Sequence, residues 1–159
     1  MTLALRPARA TDVYRLQQLQ RTPGAPCWVA EVETWAIRDA WYWLRDTSNR
    51  GAALLLAEND EGDVIAVIGY SRAAPSTWYL PGLFVPVEYR GRNIGGTAFR
   101  ACIDLLRQAH GGETALWVVH HNNEAMLKLS AQVRATISSV DFPCNGGQPE
   151  RYHRCELRL

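Results

Sequence analysis

No apolar run in this chain approaches the roughly 18 residues needed to cross a bilayer as a helix, and nothing near Met1 has the basic-then-apolar form of an export signal. A cytoplasmic location is the resulting expectation, with no membrane partner. Net charge is nearly absent: 17 Lys and Arg against 16 Asp and Glu leave +1, so nothing global points to nucleic acid as a partner. Cysteine is sparse and unpatterned. Cys27, Cys102, Cys144 and Cys155 form no CxxC pair and no metal-ligand spacing with histidine, so reduced thiols and no bound metal are expected. Internal repeats and low-complexity tracts are also missing. What remains is 47% hydrophobic and 21% charged residues, the balance of an ordinary globular protein. A chain of 159 residues then reads as one domain, 1–159, large enough for a buried core.

The hydrophobic pattern predicts the elements. A short strand ends near Arg6 and is followed by a helix that Thr11 or Asp12 can cap. The turn-forming "RTPGAPC" breaks it, and a second helix is expected over about 31–45, with Trp35, Ile37, Trp41 and Leu44 on one stripe. "AALLLA" and "VIAVIGY" read as strands joined by the charged hairpin turn "ENDEGD". "WYLPGLFVPV" reads as a third run, bulged or splayed because Pro81 and Pro86 forbid a regular ladder. Next come a helix carrying Ala98, Phe99, Cys102, Ile103 and Leu106 and ending at "HGG", the strand "TALWVV", a helix from about Asn123, and two final strands. The last of these alternates as an edge strand would, with Arg151, Arg154 and Arg158 between Tyr152 and His153. The order β-α-α-β-β-β-α-β-α-β-β predicts a mixed sheet with helices on its faces.

"YRGRNIGG" stands where the third run gives way to a helix. A helix that starts without large side chains exposes unpaired N–H groups at the positive end of its dipole. Gly91, Gly95 and Gly96 let a pyrophosphate approach that backbone, and Arg90 and Arg92 add charge-assisted contacts. The same glycines also suit a tight turn with no ligand. A P-loop needs Gly-Lys-Ser/Thr, whereas Gly95-Gly96-Thr97 has no lysine, and the spacing is not that of GxGxxG.

This segment resembles the signature of the GNAT superfamily of acyl-CoA-dependent N-acetyltransferases, V-x-P-x-x-R-G-x-G-I-G. Val85 to Gly95 follows it, with Asn93 where the family usually has glycine, a residue that tolerates the left-handed conformation better than most. The element order resembles the family over nearly the whole chain. The resemblance implies an α+β mixed fold: a central, mostly antiparallel sheet with a splayed fourth strand, flanked by helices on both faces. It implies acetyl-CoA as cosubstrate, held by Phe84, Val85, Val87, Arg90, Gly91, Arg92, Asn93, Ile94, Gly95, Gly96 and Thr97, and by Asn123 from the family's second motif. In the family a tyrosine seven residues after that asparagine protonates the departing thiolate. Here the position is Ser130.

The implied reaction is attack of a neutral amine on the thioester carbonyl, aided by free N–H groups of the splayed strand. A base must accept the amine proton. The glutamate that some relatives place early in the bulged strand is missing, since Pro81 and Gly82 stand there. His120 and His121, after the fifth strand, are the candidates, and Ser130 is a candidate proton donor or relay. Trp28, Glu31, Glu33 and Trp35 put carboxylates among aromatics, which suits a cationic amine as well as a packed stripe with a solvated face. The expected function is N-acetylation of a small cationic amine, such as an aminoglycoside-like compound, a polyamine or an amino-acid derivative. Acetylation of a protein N-terminus or lysine, and acyl-CoA binding without turnover, are the alternatives. Relatives in the family also make a homodimer a possibility.

Overall fold

The computed structural model describes residues 3–20, 51–142 and 150–159. The expected second helix over about 31–45 lies outside them. In chain order the described elements are β1 (Arg6–Pro7), a 3-10 turn (Ala10–Asp12), α1 (Val13–Gln20), β2 (Ala52–Glu58), β3 (Val64–Ala74), β4 (Thr77–Tyr79), β5 (Leu83–Phe84) and a second 3-10 turn (Val87–Tyr89). They continue with α2 (Ile94–His110), β6 (Thr114–His120), α3 (Glu124–Gln132), β7 (Thr136–Phe142) and β8 (Glu150–Arg158). Among the described residues the strands form one sheet in the order β1-β2-β3-β4-β6-β8-β7, with β5 also paired to β3. Among the described residues only β4 and β6 run parallel, and α2 lies in the long crossover that a parallel pair needs.

Alternation decides which side each strand buries. Leu56, Val67 and Phe84 point to one face and pack against Leu16 and Leu19 of α1. Leu55, Ile68, Leu80, Trp117 and Val119 point to the other, where Phe99, Cys102, Ile103 and Leu106 of α2 and Leu129 of α3 meet them. Helices therefore cover both faces of the mostly antiparallel sheet. Burial pushes the Cys102 thiol up to about 12 and raises that of Cys155. Both are free, buried thiols that behave as small hydrophobes.

Three local features take their form from contacts that the sequence alone does not show. Asp12, one of the two candidate caps of α1, reaches back to β1 and to the turn before it. Its carboxylate accepts from the Arg9 N–H at 2.7 Å and from both Nη atoms of Arg6 at 2.8 and 2.9 Å, because the guanidinium of β1 is the stronger partner. The last strand is not an edge. β8 lies between β6 and β7, and local alternation carries no information about partner order. As expected, the run Trp78 to Val87 is not a regular ladder: it is divided into β4 and β5 by Leu80-Pro81-Gly82.

The break has a structural cause. Ser71 pairs with Tyr79 and Val67 with Phe84, so five steps on this side span four on β3, as in a β-bulge. Pro81 has no N–H for β3, and its ring lies against Gly69, where a Cβ would stand 3.1 Å from Cγ. The ladder resumes at Gly82, whose carbonyl accepts from Gly69 N–H at 3.1 Å.

Candidate active site

Beyond the bulge the sheet opens. β6 is paired with β8 along its whole length, to His120 opposite Tyr152, but with β4 only from Thr114 to Leu116. Leu80 N–H donates to the Leu116 carbonyl at 2.8 Å, and among the described residues no strand lies beyond that bond between β5 and the second half of β6. The walls of the gap follow from register. Antiparallel ladders alternate bonded and non-bonded pairs, and Gly69 and Gly82 are a bonded pair. Val67 and Phe84, two residues along, are bonded as well, so the Phe84 N–H is committed to β3. Leu83 and Val85 face the gap. On the other wall, His121 N–H donates to the Arg151 carbonyl, so the odd residues of β6 face β8 while Val118 and His120 face the gap.

Of the three backbone positions expected to meet an acyl carrier, then, Val85 is aimed into the opening and Phe84 is not. Val87 begins the 3-10 turn beyond the strand. Leu83 and Val118 were missed, because only the register identifies them.

The glycine turn starts at this same opening. Gly91 has φ +76° and Asn93 φ +58°, so asparagine does take the left-handed conformation at the N-cap of α2. The first backbone bond of the helix runs from Thr97 N–H to the Asn93 carbonyl at 3.1 Å, and the Thr97 hydroxyl donates to that carbonyl at 3.0 Å. Ile94, Gly95 and Gly96 precede that bond, so their N–H groups are the orphan donors of the helix start. A Cβ on Gly96 would stand 2.6 Å from Asn93 Oδ1 and 3.2 Å from Arg100 Nη2. The glycine thus leaves room for the Asn93 amide oxygen and the Arg100 guanidinium against the first turn, and of the two it is the guanidinium that suits an anionic phosphate. Arg100, one turn into α2, joins the site from outside the motif.

The two arginines of the loop differ. Arg90 Nε donates to the Val85 carbonyl at 2.9 Å and so braces the loop against the gap. Arg92 makes no hydrogen bond among the described residues, and its guanidinium carbon lies 5.9 Å from the Tyr89 ring centre. Tyr89 packs against the buried cluster that includes Ile94 and Ala98 and donates its hydroxyl to Asp63 at 3.0 Å. Desolvation and the Asp63 carboxylate raise its phenol pKa, which keeps it a donor.

At the end of β6, Asn123 caps α3: its Oδ1 accepts from Met126 N–H at 3.1 Å, and only the Nδ2 end of the amide is left for a ligand. His120 and His121 stand together, ring centres 4.4 Å apart, and His120 meets Tyr152 edge to face at 5.2 Å. Their hydrogen bonds separate them. His120 Nδ1 accepts from Asn122 N–H at 3.2 Å, so the neutral ring carries its proton on Nε2. His121 Nδ1 faces the Arg151 carbonyl at 2.9 Å; a carbonyl only accepts, so that nitrogen is the donor and Nε2 holds the lone pair.

Ser130 is fully buried. Its hydroxyl donates to the Met126 carbonyl at 2.8 Å and accepts from Trp117 Nε1 at 2.9 Å, which leaves it no proton to give at the gap. This geometry corrects the expected donor role, since the core needs an acceptor for the buried indole. Trp28, Glu31, Glu33 and Trp35 lie outside the described residues.

Comparison with known proteins agrees with this geometry. The family model "Acetyltransferase (GNAT) family" matches residues 10–132. A search of curated proteins finds no match to the chain. Among solved structures, yncA of Salmonella typhimurium with its cofactor acetyl-CoA superposes with a TM-score of 0.75 at 15% identity, over 100% of this chain and 95% of that one. The spermidine N-acetyltransferase of Vibrio cholerae in complex with CoA and spermine gives 0.76 at 12% identity, over 99% and 95%. The ribosomal-protein-S5-alanine acetyltransferase of Vibrio fischeri gives 0.77 at 16%, over 99% and 93%. At such identities the superpositions speak for the fold, and the family match covers most of the sequence: the chain belongs to the GNAT family of acetyltransferases.

Proposed function

We propose that this acetyltransferase moves the acetyl group of acetyl-CoA to the primary amine of a small cationic acceptor. The observation that carries the reading is the broken ladder between β5 and β6, opening beside the glycine-lined start of α2. An extended amide-bearing arm can pair there with Leu83 and Val85 on one side and Val118 on the other. The pyrophosphate would be held by Gly95 and Gly96 N–H groups with Arg92 and Arg100, and the Asn123 amide would face the arm.

In the reaction the amine nitrogen bonds to the carbonyl carbon, the carbon–sulfur bond breaks, and the thiolate leaves. Backbone N–H groups of the gap stabilise the developing oxyanion. His121 is the better base, because its Nε2 lone pair has no partner among the described residues. His120, with its proton on Nε2, is suited to donate. For the acceptor, the segment with Trp28, Glu31, Glu33 and Trp35 supplies carboxylates and aromatic faces for an ammonium group. The Vibrio cholerae neighbour that binds spermine has the same fold, which supports a polyamine-like acceptor.

The test is CoA-thiol release from acetyl-CoA across polyamines, aminoglycosides and amino-acid amides, with calorimetric binding of acetyl-CoA beside it. Release with one amine class is expected. Absence of both release and binding would sink the reading. One observation favours a second reading, acyl-CoA binding without turnover: the position at which relatives carry a tyrosine acid is a buried core serine, Ser130. That reading gives binding with no release for any amine.

A further inference from the structure

The turn "ENDEGD" carries four carboxylates in six residues, and on sequence alone it is a solvated hairpin. In the fold it is built into two other elements. Asn59 and Asp63 close it with each other: Asn59 N–H donates to the Asp63 carbonyl at 3.0 Å, Asp63 N–H to Asn59 Oδ1 at 2.7 Å, and Asn59 Nδ2 to Asp63 Oδ2 at 3.2 Å. On one side Arg15 of α1 grips it, donating to Glu58 at 2.6 Å and to the Gly62 carbonyl. On the other, Asp63 Oδ2 accepts from the Tyr89 hydroxyl at 3.0 Å, with Tyr89 packed against the cluster that includes Ile94 and Arg92 over its ring.

We propose that Asp63 is a positioning residue for the anion-binding loop: through Tyr89 it fixes the turn that presents Arg92 and the start of α2 to the phosphates of the cosubstrate. The inference rests on the acetyl-CoA reading above and adds to it a part of the chain outside the glycine motif. Tyr89 has contacts in both directions along this path, a hydroxyl on the hairpin and a ring under Arg92. Removing the hydroxyl alone unties the loop without emptying the packing against the cluster that includes Ile94. The strut bears on phosphate recognition and not on the thioester end, because Asp63 and Tyr89 act on the loop before α2 and not on the walls of the gap.

The experiment measures calorimetric affinity for CoA and for pantetheine, which lacks the pyrophosphate, in the wild type and in Tyr89→Phe, Asp63→Ala, Asp63→Asn and the double variant Tyr89→Phe/Asp63→Ala. Asp60→Ala, in the same turn, is the control. The expected result is a weakening of CoA binding by roughly three- to tenfold in Tyr89→Phe and Asp63→Ala, the range of one ordinary hydrogen bond. The double variant should be no worse than either single one, since both cut the same path. Asp63→Asn, which keeps an acceptor oxygen, should stay within about twofold, and Asp60→Ala and all pantetheine affinities should not change. Equal loss for CoA and pantetheine, or a lowered melting temperature with CoA affinity intact, would overturn the strut and leave the acetyl-CoA reading standing. A wild-type protein that binds no CoA would instead overturn that reading, and the strut with it.

Discussion

Two hydrogen bonds hold Ser130 in the core, one from the Trp117 indole and one to the Met126 carbonyl. Ser130→Ala is expected to leave the buried indole N–H without an acceptor and to lower stability by about 1–3 kcal/mol, with turnover reduced no more than about threefold. A serine that gave its proton to the thiolate would behave oppositely, with turnover falling roughly a hundredfold and the denaturation midpoint little changed. Gly96 is a second residue whose role is a matter of space. Its Cβ would meet Asn93 Oδ1 and Arg100 Nη2 at 2.6 and 3.2 Å, whereas a Cβ on Gly95 meets only Val85 and Leu83 at 3.4 and 3.5 Å. Gly96→Val should therefore weaken acetyl-CoA binding by about tenfold or more, and Gly95→Ala by much less, as read by calorimetry. Arg134, just past α3, has φ +62°, a conformation that costs most side chains about 1–2 kcal/mol. Arg134→Gly should raise the urea midpoint by the equivalent of about 1 kcal/mol.

Elements are joined at the N-terminal end by charge. Arg6 of β1 donates to Asp12 and to Glu58 of β2, and Arg15 of α1 donates to Glu58, so three elements share one cluster. Hydrogen bonds from Arg6 and then Arg15 hold the Glu58 carboxyl at about 2, below its ordinary 4.5. Arg6, against burial, also lowers that of Asp12. A carboxyl depressed in the folded state stabilises it fully above the unfolded value and loses that contribution as pH falls through the folded one. Stability should thus decline between about pH 4.5 and 2, and Glu58→Gln should flatten the decline in acid denaturation curves while lowering stability at neutral pH. Only part of this was legible beforehand. The period of "AALLLA" and "VIAVIGY" announced two strands, and Gly111, left-handed at φ +57°, ended α2 where "HGG" said it would. The cluster was not announced, because Arg6 and Glu58 are 52 residues apart and only the pairing of β1 with β2 brings them together.

At the scale of the molecule, strand order and register determine the site. Pro81 and Pro86 told of a disrupted strand, and the glycine turn marked the start of α2 as a candidate anion site, so the candidate residues were legible in the sequence. The walls of the site were not. Which of Leu83, Phe84 and Val85 faces the opening depends on the slip of one residue between the pairings at Tyr79 and Phe84, and the placing of β8 between β6 and β7 is a long-range fact with no local signal. The same holds for Asp63, a turn residue by pattern and a partner of Tyr89 by topology.

Amide hydrogen exchange by NMR, with and without CoA, tests the central claim most directly. Pairing of the pantetheine arm in the gap predicts new protection at Leu83, Val85 and Val118 on adding CoA, with Phe84 already protected through Val67 and unchanged. Exchange at those three amides that is indifferent to CoA, or a change confined to Phe84, would contradict the account.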